Sequence, residues 1–438
     1  MEQLPLLLPR DHGTWILDRR RGLTQSEFLI SVHALADKLP ARRHAIMLTH
    51  GRCEFLIAFC AALMRGQTAL LPVNDTDVAV AELAERYPDC FAMLDRRRSL
   101  AIETVLVGST SAAKDGCGNV PDIPANHLAA ILHTSGSTGE PQAHEKTWGE
   151  MVFGAQRWRE RFTINASNYI VPTIPAQHMF GFEASIILPL QTGARVFSGQ
   201  PLYPADIALA LGLAKGATLI TTPIHLRACR RSEVEWPPIS RVICSTASLD
   251  ARLAEACEAT MRTRVSEIFG STETGAIASR RTANDNHWSC LEGLTIEQRD
   301  ADAYIRHSAT DERFRLDDKI EVIDNRSFNL LGRPTDMVKI AGKRASMADL
   351  SHRLNRIEGI EDGVLFCRDT PGQSVDRLIA LVVAPTLSSG HIRMELARQI
   401  DSAFLPRQII HVEKLPRNAS GKLSLDSTRA LFDRLRRR

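Results

Sequence analysis

Leu128-Ala-Ala-Ile-Leu-His-Thr-Ser-Gly-Ser-Thr-Gly-Glu-Pro141 joins a short apolar run, Leu128 to Leu132, to a loop of two glycines and four hydroxyl residues. The run reads as a buried strand. The glycines of the loop let backbone N–H groups converge on an anion, and the hydroxyls add further donors. Alone, such a loop is most often a plain surface connection. It is not a Walker loop, because no Gly-Lys-Ser/Thr follows at the required spacing, and this disfavours a P-loop NTPase.

Upstream, helical and strand patterns alternate. Leu23 to Leu39 reads as a helix opened by Thr24, with Glu27 three residues on as a capping box. His44 to Thr49 and Ala69 to Val73 read as strands, with a helix from Glu54 to Arg65 between them. Residues 109 to 126, rich in Ser, Gly and Pro, read as a surface connection. Downstream, strands are expected at Ala217 to Thr221, Arg241 to Cys244 and Val265 to Ile268, and helices at Ala205 to Ala214 and Ala251 to Thr260. This rhythm predicts an α/β fold with parallel sheets covered by helices. Gly332-Arg333-Pro334-Thr335-Asp336 reads as a hinge, followed by a helix at Met347 to Ile357 and a strand at Leu378 to Val383. The expected domains are therefore 1–335 and 336–438.

Composition narrows the function. Of the 438 residues, 44% are hydrophobic and 24% charged, which fits a globular chain rather than a disordered one. The formal charge of +3 gives no overall field to draw in nucleic acid or an anionic membrane. No apolar run is long enough for a membrane span, and the N-terminus lacks the pattern of a signal peptide. Nine cysteines with no C-x-x-C pair argue against a disulfide framework or a zinc site and for a reduced, cytoplasmic setting.

Three more segments carry chemistry. Ile268-Phe-Gly-Ser-Thr-Glu-Thr-Gly275 places hydroxyls beside a carboxylate after a strand, a donor set suited to Mg²⁺ with a nucleotide. Leu316-Asp317-Asp318, followed by Arg333, offers carboxylates to a ribose. Leu415-Pro-Arg-Asn-Ala-Ser-Gly-Lys422 carries a lysine on a Pro-bounded loop. Each is an ordinary turn when taken singly.

In this order and spacing, the four motifs resemble the adenylate-forming superfamily of acyl- and aryl-CoA synthetases, peptide adenylation domains and luciferases. The resemblance implies a large doubly wound N-terminal region and a small mobile α+β C-terminal domain. It implies ATP and Mg²⁺ as cofactors, with Thr134, Ser135, Gly136, Ser137, Thr138 and Gly139 as the phosphate loop. Ser245, Thr246 and Ala247 would contact adenine. Gly270 and Thr272 would lie at the phosphates, Glu273 and Thr138 at the metal, and Asp318 and Arg333 at the ribose. Lys422 would be the catalytic lysine, and His178, in Pro175-Ala-Gln-His-Met-Phe-Gly181, would stand beside the acyl pocket.

The implied reaction is adenylation of a carboxylic acid, followed by transfer to CoA or an acyl carrier protein. The chain is short for the family and is similar in compactness to aryl-polyene-type ligases, which implies a small aromatic acid. A fatty acyl synthetase and a degenerate nucleotide-binding member are the alternatives. Two departures stand out. Gln142 replaces the lysine that usually ends the phosphate loop, so Lys146 becomes a candidate replacement, and Asp317 stands where the family has glycine.

Overall fold

The computed structural model describes residues 2–10, 13–18, 22–108, 119–135, 141–300, 302–307, 312–332, 337–340, 343–368, 377–418 and 421–436. The chain divides into two compact units: residues 1–244, 257–278 and 291–293, and residues 245–256, 279–290 and 294–438. The fold is the expected mixed α/β one, with a large sheet-rich N-terminal region and a smaller C-terminal domain. The hinge expected at residues 333–336 lies outside the described residues.

The first unit contains two largely parallel sheets. In one, His44–Leu48 is flanked in parallel by Thr68–Leu71 and Cys90–Leu94, and Thr68–Leu71 pairs in parallel with Leu128–Ser135. Pro141–Thr147 then returns antiparallel to Leu128–Ser135, with a register irregularity between Lys146 and Thr147. In the other sheet, Arg195–Phe197, Tyr169–Pro172, Ala217–Thr221, Ile239–Cys244 and Val265–Ser271 run parallel in that order. Tyr169–Pro172 and Ala217–Thr221, in the middle of this sheet, are buried at every position because both faces are covered.

The helix from Arg52 to Met64 is buried on every side from Phe55 to Leu63, as that continuous apolar run requires. Its Phe55 and Phe59 meet Phe182 edge to face, and Phe59 also packs on Trp148. The capping box closes on Thr24 and Glu27 as expected, opening the helix Gln25–Ala36.

Arg52 begins the buried helix with only 2% exposure. Burial pushes its guanidinium down to about 9, so it stays charged at neutral pH. It donates to Ser185 Oγ at 3.0 Å, to the Gly199 carbonyl at 3.1 Å and to the Ile174 carbonyl at 2.6 Å. It therefore ties the loop that leads to His178 to two other segments. Arg52→Ala leaves three acceptors without this donor and opens a cavity, and is expected to cost about 3 kcal/mol of stability, read by urea unfolding. A loss below about 0.5 kcal/mol would show that the clamp is not structural.

In the second unit, Leu294–Arg299, Asp302–His307 and Arg313–Leu316 form an antiparallel three-stranded sheet. The C-terminal sheet pairs Arg377–Val383 antiparallel to Asp362–Arg368 and parallel to Gln408–His411. Leu350 and Leu354 of the helix Met347–Asn355 pack into its core with Ile392 and Leu396 of the helix Ser389–Ala397.

Candidate active site

Four of the segments singled out in the sequence follow the carboxyl ends of parallel strands. Thr134 ends Leu128–Ser135, His178 follows Tyr169–Pro172, Ser245 follows Ile239–Cys244, and Thr272 follows Val265–Ser271. Open α/β sheets bind ligands at these ends, where the backbone leaves the sheet and its polar groups are unspent.

Ser271 to Gly275 forms a tight turn. Ser271 N donates to Thr274 Oγ1 at 3.2 Å, and Thr274 N donates back to Ser271 Oγ at 3.3 Å. Gly270 must lack a side chain, because a Cβ there would overlap the Gly275 carbonyl. Gly275 has φ +67°, and a Cβ on it would lie 2.5 Å from Glu183 Oε1. The turn presents Glu273 at its tip, with 48% of the side chain exposed. His144 Nε2 lies 3.6 Å from Glu273 Oε1 and 2.9 Å from Thr134 Oγ1. One imidazole thus links the start of the expected phosphate loop to the expected metal ligand. Gly136, Ser137, Thr138 and Gly139 of that loop lie outside the described residues, and of Ser135 only the backbone is described.

Lys146 is not a surface lysine. It is 6% exposed, and its Nζ donates to the backbone carbonyl of Glu273. Burial lowers its affinity for a proton, which Glu150, Glu183 and Glu273 partly restore. Glu183, in the π-helical turn Glu183–Ile187, is also buried and accepts the Ala276 N–H at 3.1 Å. Burial pushes its carboxyl up, against the pull of Arg157, the Ala276 N–H and Lys146. The turn is thus gripped by two buried polar side chains, one on each side of Gly275.

His178 is half-buried and precedes the short helix Met179–Phe182. Its neighbour Gln177 donates to the Thr49 carbonyl. In the second unit, Thr246 has φ +81°, a left-handed conformation that is strained for a β-branched residue. Its buried Oγ1 has no hydrogen-bond partner among the described residues, and Ala247 is exposed beside it. Asp317 and Asp318 form the turn between Arg313–Leu316 and Lys319–Val322, with Asp317 exposed and Asp318 half-buried. Arg333 lies outside the described residues.

Lys422 is exposed on a braced loop. Its N–H donates to Asn418 Oδ1 at 2.8 Å. Arg417 grips Asp362 with two bonds of 2.7 Å and donates to the Gly421 carbonyl at 2.9 Å.

A half-exposed carboxylate beside hydroxyls fits Mg²⁺, which uses one or two carboxylates and takes the rest of its shell from phosphates and water. Among the described residues no group of three or more His, Cys, Asp or Glu is arranged to hold a metal by itself, so this fit requires the nucleotide. Among the described residues no helix is long and apolar enough to cross a membrane.

The profile of the AMP-binding enzyme family matches residues 30–315, and the chain belongs to that family. The 4-coumarate–CoA ligase of Halorhodospira halophila is 25% identical over 318 residues, covering 69% of this chain and 77% of that protein. Among solved structures, the anthranilate CoA ligase AuaEII in complex with anthranoyl-AMP superposes with a TM-score of 0.81 at 15% identity, over 98% of each chain. The O-succinylbenzoate CoA synthetase of Bacillus subtilis, in complex with ATP and magnesium ion, gives 0.79 at 17% identity, over 92% of this chain and 94% of that one. At these identities the structures establish a shared fold.

Proposed function

We propose that this protein is an AMP-forming acid–thiol ligase that activates a small aromatic carboxylic acid with ATP. The observation that carries the reading is His144 linking Thr134 to Glu273 at the carboxyl ends of parallel strands. The named aryl-CoA ligases among its relatives support the aromatic acid, and the ATP-bound neighbour supports the nucleotide.

In this reading an acid oxygen attacks the α-phosphorus of ATP. The bond to the bridging oxygen breaks, pyrophosphate leaves, and acyl-AMP remains. The thiol sulfur then attacks the acyl carbon, its proton goes to solvent, and AMP departs. Positioning and charge neutralisation do most of the work. The backbone and hydroxyls of Thr134 to Gly139 cradle the phosphates, Ser245 to Ala247 contact adenine, and Asp318 with Arg333 holds the ribose. Glu273 and Thr138 would hold Mg²⁺, which supplies charge neutralisation at the phosphates. Lys422 bridges the carboxylate and the α-phosphate. Residues 336–438 then rotate about Asp336, withdrawing Lys422 before the thiol enters. The acceptor in this proposal is CoA or an acyl carrier protein, the latter in a polyene-type pathway.

The acid is tested by comparing kcat/KM for hydroxybenzoate, hydroxycinnamate and palmitate. The expected result is an aromatic acid preferred by at least about 100-fold, as a site built around a ring and its hydroxyl can achieve. A preference for palmitate would overturn the aromatic assignment and leave the adenylation chemistry in place.

A further inference from the structure

The returning strand Pro141–Thr147 points alternate residues to one side, so His144 and Lys146 share a face. Both land on the same residue of the neighbouring turn. His144 Nε2 lies 3.6 Å from the Glu273 carboxylate, and Lys146 Nζ donates to the Glu273 carbonyl. The next peptides are fixed from the other side, where Glu183 accepts the Ala276 N–H. Glu183 lies against Gly154 of the helix Trp148–Phe162, which also brings Arg157 to it.

A lysine in this setting has a cost. Its ammonium gives up water, and the return has to come from what it holds in place. An apolar side chain at 146 would fill the space without that cost, so packing alone does not account for it. The Glu273 carbonyl is the acceptor of its hydrogen bond, and that residue carries the carboxylate at the tip of the turn.

We infer that His144 and Lys146 are positioning residues that set the Glu273 carboxylate from both ends, so that it meets a nucleotide-bound divalent cation in one orientation. The inference rests on the adenylation reading and extends it. Lys146 then acts through the backbone of the turn rather than as the phosphate contact that Gln142 lacks. His144, two residues from Gln142, is the side chain that couples the phosphate loop to the metal carboxylate.

The test uses the full chain with Mn²⁺ as probe. Binding of Mn²⁺–ATP is read from the enhancement of water-proton relaxation, without turnover. His144→Leu and Lys146→Met should each weaken Mn²⁺–ATP binding about tenfold, the usual effect of removing a group that orients a metal ligand. His144→Gln keeps a donor near the position of Nε2 and should restore most of the affinity, which simple space-filling would not explain. If Lys146→Met does not fold, the His144 pair decides alone. Affinities within twofold of the parent for His144→Leu, or equal losses for His144→Leu and His144→Gln, would overturn the inference. A parent protein that binds no Mn²⁺–ATP would overturn the adenylation reading itself, a different and separately visible result.

Discussion

Lys422→Ala is expected to lower acid-dependent ATP–pyrophosphate exchange by about 10²- to 10³-fold, while transfer of a supplied acyl-adenylate to the thiol stays near the parent rate. The asymmetry follows from where charge develops. Negative charge accumulates between the incoming carboxylate and the α-phosphate only in the first half-reaction, and an ammonium there stabilises the transition state more than the ground state. In the proposed second half-reaction AMP is the leaving group and the lysine would already have been withdrawn. Folding is not at issue. Lys422 is exposed, and its loop is braced by the Arg417–Asp362 pair and the bond to Gly421, neither of which uses the lysine side chain. Measuring the two half-reactions separately decides the matter. Equal losses in both would contradict the assigned role.

Glu273→Gln is expected to lower exchange about 100-fold and to raise the Mg²⁺ concentration needed for half-maximal activity. The amide has the same shape as the carboxylate but is a poorer ligand for a hard cation. The turn itself should survive, because it is held through the Glu273 carbonyl, the Ala276 N–H and the Ser271–Thr274 bonds rather than through the carboxylate. The melting temperature should therefore move by no more than a degree or two. Full activity with an unchanged Mg²⁺ titration would remove Glu273 from the site.

Much of the frame was legible because its signals are local. The Thr24–Glu27 capping box lies within four residues. The apolar runs at 128–132 and 217–221 are strands buried on both faces, and their composition states it. What was hidden is tertiary. Gln142-Ala-His-Glu-Lys-Thr147 has Ala143 as its one apolar residue, so it carries no core signal, yet it is a strand because Leu128–Ser135 offers it a free edge. His144 has no informative neighbours, and its partner Glu273 lies far along the chain. Lys146 drew notice for its charge, but sequence alone could not show that it is buried. Glu183 sits in an apolar helical run, where a lone carboxylate gives no hint that Ala276 and Lys146 will meet it. The motifs were readable, whereas the buried polar side chains that hold one of them in place were not.

The central claim is that the acid is activated as a mixed anhydride with AMP. It is tested most directly by supplying the preferred aromatic acid with ¹⁸O in its carboxylate, together with ATP and the thiol, and analysing the products by mass spectrometry. Attack on the α-phosphorus predicts AMP carrying one ¹⁸O, because the bridging oxygen of the anhydride comes from the acid and leaves with AMP when the thiol attacks the acyl carbon. Unlabelled AMP, or label appearing in inorganic phosphate alongside ADP, would contradict the account.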